Sequence, residues 1–201
     1  MSTSTPSTAS GSSDSPLAHH LNTLFAPLDF NQELSQRILT HMSHKEAVQG
    51  HNARFSFMGR RVLHSYLLLF LHSSTASPPS LDYEDVASRA LNTYILGEFV
   101  APQWALGDVI RWTPARPVED KGLTSLKGIG LYKVHGTVVE AVMGGVFHQF
   151  GGSVAHRLFH TRLLPHILLP GRSEGLHDSF HEDALATCEK MGGANGPLVL
   201  S

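Results

Sequence analysis

Between Ala53 and Leu71 the chain carries its densest run of apolar side chains, including Phe55, Phe57, Met58, Val62, Leu63, Tyr66, Leu67 and Phe70, with Arg54, Arg60, Arg61 and His64 set among them. A helix that crosses a bilayer needs about 20 nearly uncharged apolar residues. The three arginines and the histidine exclude that reading, so the rest of the chain must cover the apolar side chains. The segment predicts one long core helix around which everything else is arranged.

The flanking pattern is helical as well. Leu17, Leu21, Leu24, Phe25 and Leu28 recur at helical spacing up to Pro27–Asp29, and a second helix is expected over Gln32–His44 with Leu34, Ile38, Leu39 and Met42 inward. Pro78 and Pro79 break the chain after the core helix, and the acids Asp82–Asp85 suit the first turn of another helix running to Phe99. A shorter helix is expected over Gln103–Arg111, then an exposed polar loop over Thr113–Gly130. The segment Leu131–Phe150 reads as a long helix in which Gly136, Ala141, Gly144 and Gly145 leave room for a neighbouring helix, and Gly151–Gly152 ends it. Val154–Leu168 forms the last expected helix. Nothing reads as a series of strands, and the class is all-α.

A length of 201 residues suits one domain with tails. Residues 1–16 are Ser/Thr-rich and are expected to be disordered, 17–170 form the helical domain, and 171–201 form an acidic tail, either disordered or anchored to a neighbouring molecule through Leu176, Phe180, Leu185 and Leu198–Leu200. The serine-rich, acid-poor start suits a mitochondrial leader, whereas the lack of any arginine before Arg37 does not. A single cysteine, Cys188, excludes a disulfide framework and, with no CxxC pair, argues against structural zinc.

The formal net charge of −2 conceals an uneven distribution. Residues 101–172 hold eight Lys/Arg against four acids, a balance of +4, while 173–201 hold five acids against Lys190, a balance of −4. The basic block could contact phosphates without reading bases. Arg111, Arg116, Lys121 and Lys127, then Arg157 and Arg162, are the candidate RNA-binding residues, with a merely solvated basic surface as the competing reading. Trp104 and Trp112 flank this block, either stacked on a base or packed in the core.

Three segments, in order, resemble the ribonuclease III catalytic domain. Phe30–Ser43, FNQELSQRILTHMS, is similar to the family's helix ending in an L-T-H-x-S turn. Asn52–Leu63, NARFSFMGRRVL, is similar to the signature N-E-R-L-E-F-L-G-D-x-V-L. Val134–Phe147 with Gly151–Gly152 is similar to the A-D-x-x-E-A-x-x-G-A-x-x helix and its glycine turn. The resemblance covers Leu17–Leu169 and implies a ribonuclease III endonuclease-domain-like helical bundle.

In active members, carboxylates of the two helices converge on Mg²⁺ and cut RNA. Matched position by position, those acids fall on Ala53, Ser56, Arg60 and Thr137, and only Glu140 is retained. The resemblance therefore implies a degenerate domain: no enzyme, no metal and no cofactor. A nuclease using displaced acids (Glu46, Asp82, Glu84 or Asp85 with Glu140) is the competing enzymatic reading. Arg60, or Arg61, could pair with Glu140 across the two helices; alternatively Glu140 is solvated and Arg60 faces water. The double-stranded-RNA-binding domain usual in the family has no counterpart in the short stretch after Leu169.

The resemblance also implies that Phe57, with Phe55, Met58 and Val62 close by, lies at a pairing surface, unless these are only core residues. The non-catalytic branch of the family that this chain is similar to, in its short fungal form, lies in the mitochondrial large ribosomal subunit. That likeness implies mitochondrial localisation, a heterodimer with another ribonuclease III-like mitochondrial ribosomal protein, and contacts with ribosomal RNA and neighbouring ribosomal proteins. An inactive half of an RNA-processing heterodimer would share the same sequence features.

Overall fold

In the computed structural model the described residues are 15–114 and 130–200. Most of the segment expected to be disordered, and Arg116, Lys121 and Lys127 of the expected loop, lie outside them. The described elements are helices α1 (Pro16–Leu24), α2 (Gln32–Leu39), α3 (Ala53–Ser73), α4 (Tyr83–Ala90), α5 (Thr93–Ile95), α6 (Leu131–Phe150), α7 (Gly152–Leu158) and α8 (His181–Lys190), with several short 3₁₀ and π turns. Among the described residues there is no strand, only the isolated bridges Thr40 with Arg111 and Leu168 with Leu176.

Local chemistry sets the boundaries. Asn31 caps α2 by accepting from the Leu34 N–H at 2.8 Å, and Glu33 and Arg37 complement the two ends of that helix. The helix stops at Leu39, short of the expected His44, because Thr40 turns extended and the Leu39 carbonyl accepts from Arg111 N–H. Asp82 caps α4 and Asn92 caps α5. The helix expected from Asp82 to Phe99 is thus two, broken at Leu91–Asn92, and α5 continues into a π turn over Leu96–Val100. Over the expected Gln103–Arg111 helix the chain instead makes turns, with Ala105 left-handed at φ 46° and one 3₁₀ turn at Leu106–Asp108. In place of one helix over Val154–Leu168, α7 passes into a π turn, Phe159–Leu163, and a 3₁₀ turn, Leu164–Ile167.

The crossing of α3 with α6 sits at the centre. A Cβ on Gly59 would lie 1.8 Å from the carbonyl oxygen of Glu140, and one on Gly144 would lie 2.1 Å from that of Phe55. Only glycine lets the two backbones approach this closely. Gly136 gives α5 the same access, since a Cβ there would lie 1.8 Å from the Thr93 carbonyl oxygen. These contacts fix α3, α5 and α6 relative to one another to within a fraction of a side chain.

Residues 171–200 are not a separate tail. Leu176, Phe180, Ala184 and Leu198 belong to the same buried core as Leu67 and Phe159. Asp183 of α8 accepts from the Ser74 hydroxyl and from Thr75 N–H, and these bonds hold its carboxyl below the usual range. Beside this contact, Tyr66, Phe70 and Phe159 enclose His156 and His160, whose ring centroids lie 4.6 Å apart. Burial, reinforced by His156, pushes His160 down to about 3.

Gly59→Ala is expected to lower stability by about 3 kcal/mol or more, read from the urea midpoint, because backbone and not a flexible side chain blocks the new methyl. A loss below about 1 kcal/mol would mean that the helices can part freely. Acid should also destabilise the fold. His160 binds its proton in the unfolded chain near 6.5 but in the folded one only near 3, so its contribution is present above 6.5 and is lost as pH falls toward 3. Burial displaces His41, His135, His156 and His166 in the same direction. Denaturation between about pH 7 and pH 5 should show stability falling by up to about 1.4 kcal/mol per pH unit for His160, with the slope reduced in His160→Phe.

Candidate functional site

Where α3 crosses α6, the side chain of Glu140 is wholly buried. A carboxylate held away from water is tolerated only with partners, and three donors supply them. Ser56 Oγ donates to Oε2 at 2.7 Å, Arg60 Nη2 donates to the same oxygen at 3.1 Å, and Thr93 Oγ1 donates to Oε1 at 2.8 Å. Ser56 and Arg60 stand four residues apart on α3 and so share a face. Thr93 opens α5, and its place is fixed by the Asn92 cap and by Gly136.

Of the two arginines open to this role, Arg60 takes it. Its side chain is 59 % exposed, so the pair runs from a buried anion to a surface cation. Arg61 instead lies 3.5 Å over the Phe57 ring and donates to the Phe57 carbonyl. Ala53, on the same face, offers no side-chain ligand, and Thr137 turns back on its own helix to donate to the Lys133 carbonyl at 2.9 Å. Thr93 escaped the sequence reading because one continuous helix was expected there; the cap residue Asn92 was the available signal.

A magnesium-type ion needs near-octahedral oxygen ligands, anionic or aqueous. Here one carboxylate has three of its roughly four acceptor sites filled. Its neighbours are two hydroxyls already donating to it and a guanidinium, which would repel a divalent ion by several kcal/mol at an effective dielectric of about 20. The residues present do not fit such an ion. The displaced acids are engaged elsewhere: Glu46 with Arg111, Asp82 as the α4 cap, Glu84 with His64 at 3.1 Å, and Asp85 with Arg89 at 2.5 Å.

The other expected site residues are dispersed. Arg111 is spent on Glu46. Arg157 donates to the carbonyls of Pro197 and Met191, and Arg162 to Asn195 Oδ1 and the Gly196 carbonyl. Trp104 is buried edge-on against Phe25, and its indole N–H donates to the Arg162 carbonyl, so its face is closed to a base. Of the residues expected at a pairing surface, Phe55 and Val62 are core residues, because they share the inward face with Gly59; Met58 is half-buried and Phe57 is 58 % exposed.

The ribonuclease-III-like family model matches residues 31–167, more than half of the chain. The chain belongs to the ribonuclease-III-like family. Its fold is similar to the nuclease domain of ribonuclease III from Campylobacter jejuni, at 20 % identity and a TM-score of 0.54 over 69 % of this chain and 87 % of that one. A second structure of that nuclease domain, described for structural flexibility in the region involved in its dimer formation, gives 18 % identity and a TM-score of 0.58 over 75 % of this chain and 98 % of that one. No curated protein sequence matches the chain. At these identities the likeness concerns the fold. In this ribonuclease-III-like chain, the α3–α6 crossing carries the Ser56–Glu140–Arg60–Thr93 cluster.

Glu140→Ala should cost about 3–5 kcal/mol, since it strands the buried Ser56 hydroxyl, removes the partner of the half-buried Thr93 hydroxyl and opens a cavity. Arg60→Ala should cost only about 1–2 kcal/mol, because that side chain is largely solvated and both hydroxyls stay on the carboxylate. Chemical denaturation of the two variants checks the order; equal losses would mean that the ion pair, not the hydroxyls, holds Glu140.

Proposed function

We propose that this ribonuclease-III-like chain is a non-catalytic structural protein of the mitochondrial large ribosomal subunit that pairs with a related protein and contacts ribosomal RNA. The engagement of Glu140 by Ser56, Thr93 and Arg60, which fill three of its roughly four acceptor sites, carries the reading. A nuclease of this fold needs carboxylates free to hold a divalent ion and to stabilise the departing oxygen. A lone carboxylate engaged by three donors of its own chain has exchanged that chemistry for a link between helices. Fold and activity are separable, and a helical body that has lost its metal can be kept for its shape.

Support for pairing comes from Phe57, a large apolar side chain standing exposed on α3 with Arg61 stacked over it. Exposed aromatic and arginine pairs of this kind suit the centre of a protein interface. The ribosomal setting rests on the resemblance to the non-catalytic branch of the family. Since Arg111 and Arg157 are engaged within the chain, contact with the RNA backbone falls to cations with outward-facing heads, such as the exposed Lys133 on α6.

Two measurements test the proposal. The purified chain, incubated with duplex RNA and Mg²⁺ or Mn²⁺, should release no more product than its Glu140→Ala variant; scission that Glu140→Ala abolishes would overturn the non-catalytic reading. In mitochondrial extracts the chain should co-sediment with large ribosomal subunits. Recovery with a cleaving ribonuclease III partner, apart from ribosomes, would assign it to a processing heterodimer instead.

A further inference from the structure

Arg162 is half-buried and, unlike Arg37 and Arg111, has no carboxylate within ion-pair reach among the described residues. Its Nη1 and Nη2 bonds, to Asn195 Oδ1 and the Gly196 carbonyl, are both long at 3.3 Å. Its Nε–H is enclosed and has no hydrogen-bond partner among the described residues. Burial pushes the guanidinium below its usual value. A half-buried cation whose outer nitrogens hold only long bonds to neutral acceptors gains free energy from an anion that reaches those nitrogens.

The same guanidinium lines a cavity of about 390 Å³ between the end of α1, the turn at 101–105, the turns after α7 and the 3₁₀ turn Gly193–Asn195. Its polar lining is Thr23, Gln103, Thr161, Arg162, His166 and Asn195, with no acid. Donors therefore converge from four parts of the chain on one open space of small-ligand size. A guanidinium beside an imidazole, an amide and the Thr23 hydroxyl suits the several oxygens of a tetrahedral oxyanion better than the two of a flat carboxylate.

We propose that this cavity is a binding site for a phosphate monoester, gripped by Arg162 with His166 and Gln103 as further donors. It lies apart from the Glu140 cluster and does not depend on the ribosomal reading. The source is either a small phosphate-bearing molecule or the terminal phosphate of an RNA strand.

Titration calorimetry of the full chain with inorganic phosphate, at constant ionic strength, should give saturable one-to-one binding that weakens at least tenfold in Arg162→Gln and partly recovers in Arg162→Lys. Thermal melts of each variant separate lost binding from lost folding. Should Arg162→Gln fail to fold, phosphate added to the native chain should still move the NMR resonances of the His166 imidazole and the Trp104 indole. No saturable binding to the native chain, unchanged binding in a folded Arg162→Gln, or unmoved resonances would each overturn the proposal. Short RNA with a 5′-phosphate binding more tightly than the same strand with a 5′-hydroxyl assigns the site to RNA ends; equal binding of the two strands, with inorganic phosphate still competent, assigns it to a small phosphate compound.

Discussion

The contact on which the rest of this structure depends is the backbone-to-backbone crossing of α3 and α6 at Gly59 and Gly144. Two helices ordinarily keep 8–10 Å between axes because side chains fill the gap. With no Cβ at the crossing, the carbonyl oxygens of Phe55 and Glu140 lie where methyl groups would otherwise stand. The consequence is chemical as well as steric. Ser56 and Arg60 flank Gly59 along α3, so the close approach brings both within hydrogen-bond reach of the Glu140 side chain. Any side chain at the crossing would push α3 outward and separate the hydroxyl and the guanidinium from the carboxylate together.

At this position the family's metal chemistry and the observed hydrogen bonds are alternatives. An ion between the helices would hold them through shared carboxylates, whereas here a single carboxylate is shared among donors from α3 and α5. The guanidinium supplies the positive charge and the two hydroxyls supply directional bonds. Each donor comes from a different backbone position, so the cluster ties three helices together around one buried anion. Its stabilising effect depends most on the two hydroxyls, because a buried carboxylate that lost them would be left half-satisfied.

Much of this was legible in the sequence. The segment Leu131–Phe150 has the same bounds in the structure, because glycines stand at both ends and its apolar residues recur without a break. The pairing of Arg60 with Glu140 was open to a sequence reading because residues 53, 56 and 60 repeat at helical spacing. Thr93 was not, since the Asp82–Phe99 stretch keeps a helical pattern and only the local competition of Asn92 for the Tyr94 N–H divides it. The turns at 101–111 were missed for a different reason. Burial of Trp104 against Phe25 overrides a local pattern that would otherwise favour helix. The segment 171–200 reads as a tail because its apolar residues are sparse, yet Leu176, Phe180 and Leu198 each meet a core made by distant residues. Local periodicity carries no record of such contacts.

Charge counted along the chain also overstates the charge a partner meets. The block at 101–172 owes its surplus partly to Arg111, Arg157, Arg162 and Arg172. In the fold, the first neutralises Glu46, the second and third bind carbonyl and amide oxygens of the C-terminal segment, and the fourth lies 5.4 Å from the centre of the Phe99 ring. Arginines in such positions act through planar, directional bonding as much as through charge. Pairing with Glu46 removes Arg111 from the field a polyanion would feel. Arg157 and Arg162 keep theirs, because carbonyl oxygens satisfy donors without neutralising them. A retained positive charge under a cover of neutral acceptors gives a local field with few free donors on its outer surface. An anion reaching it must therefore come through an opening in the fold and not across the face of a helix.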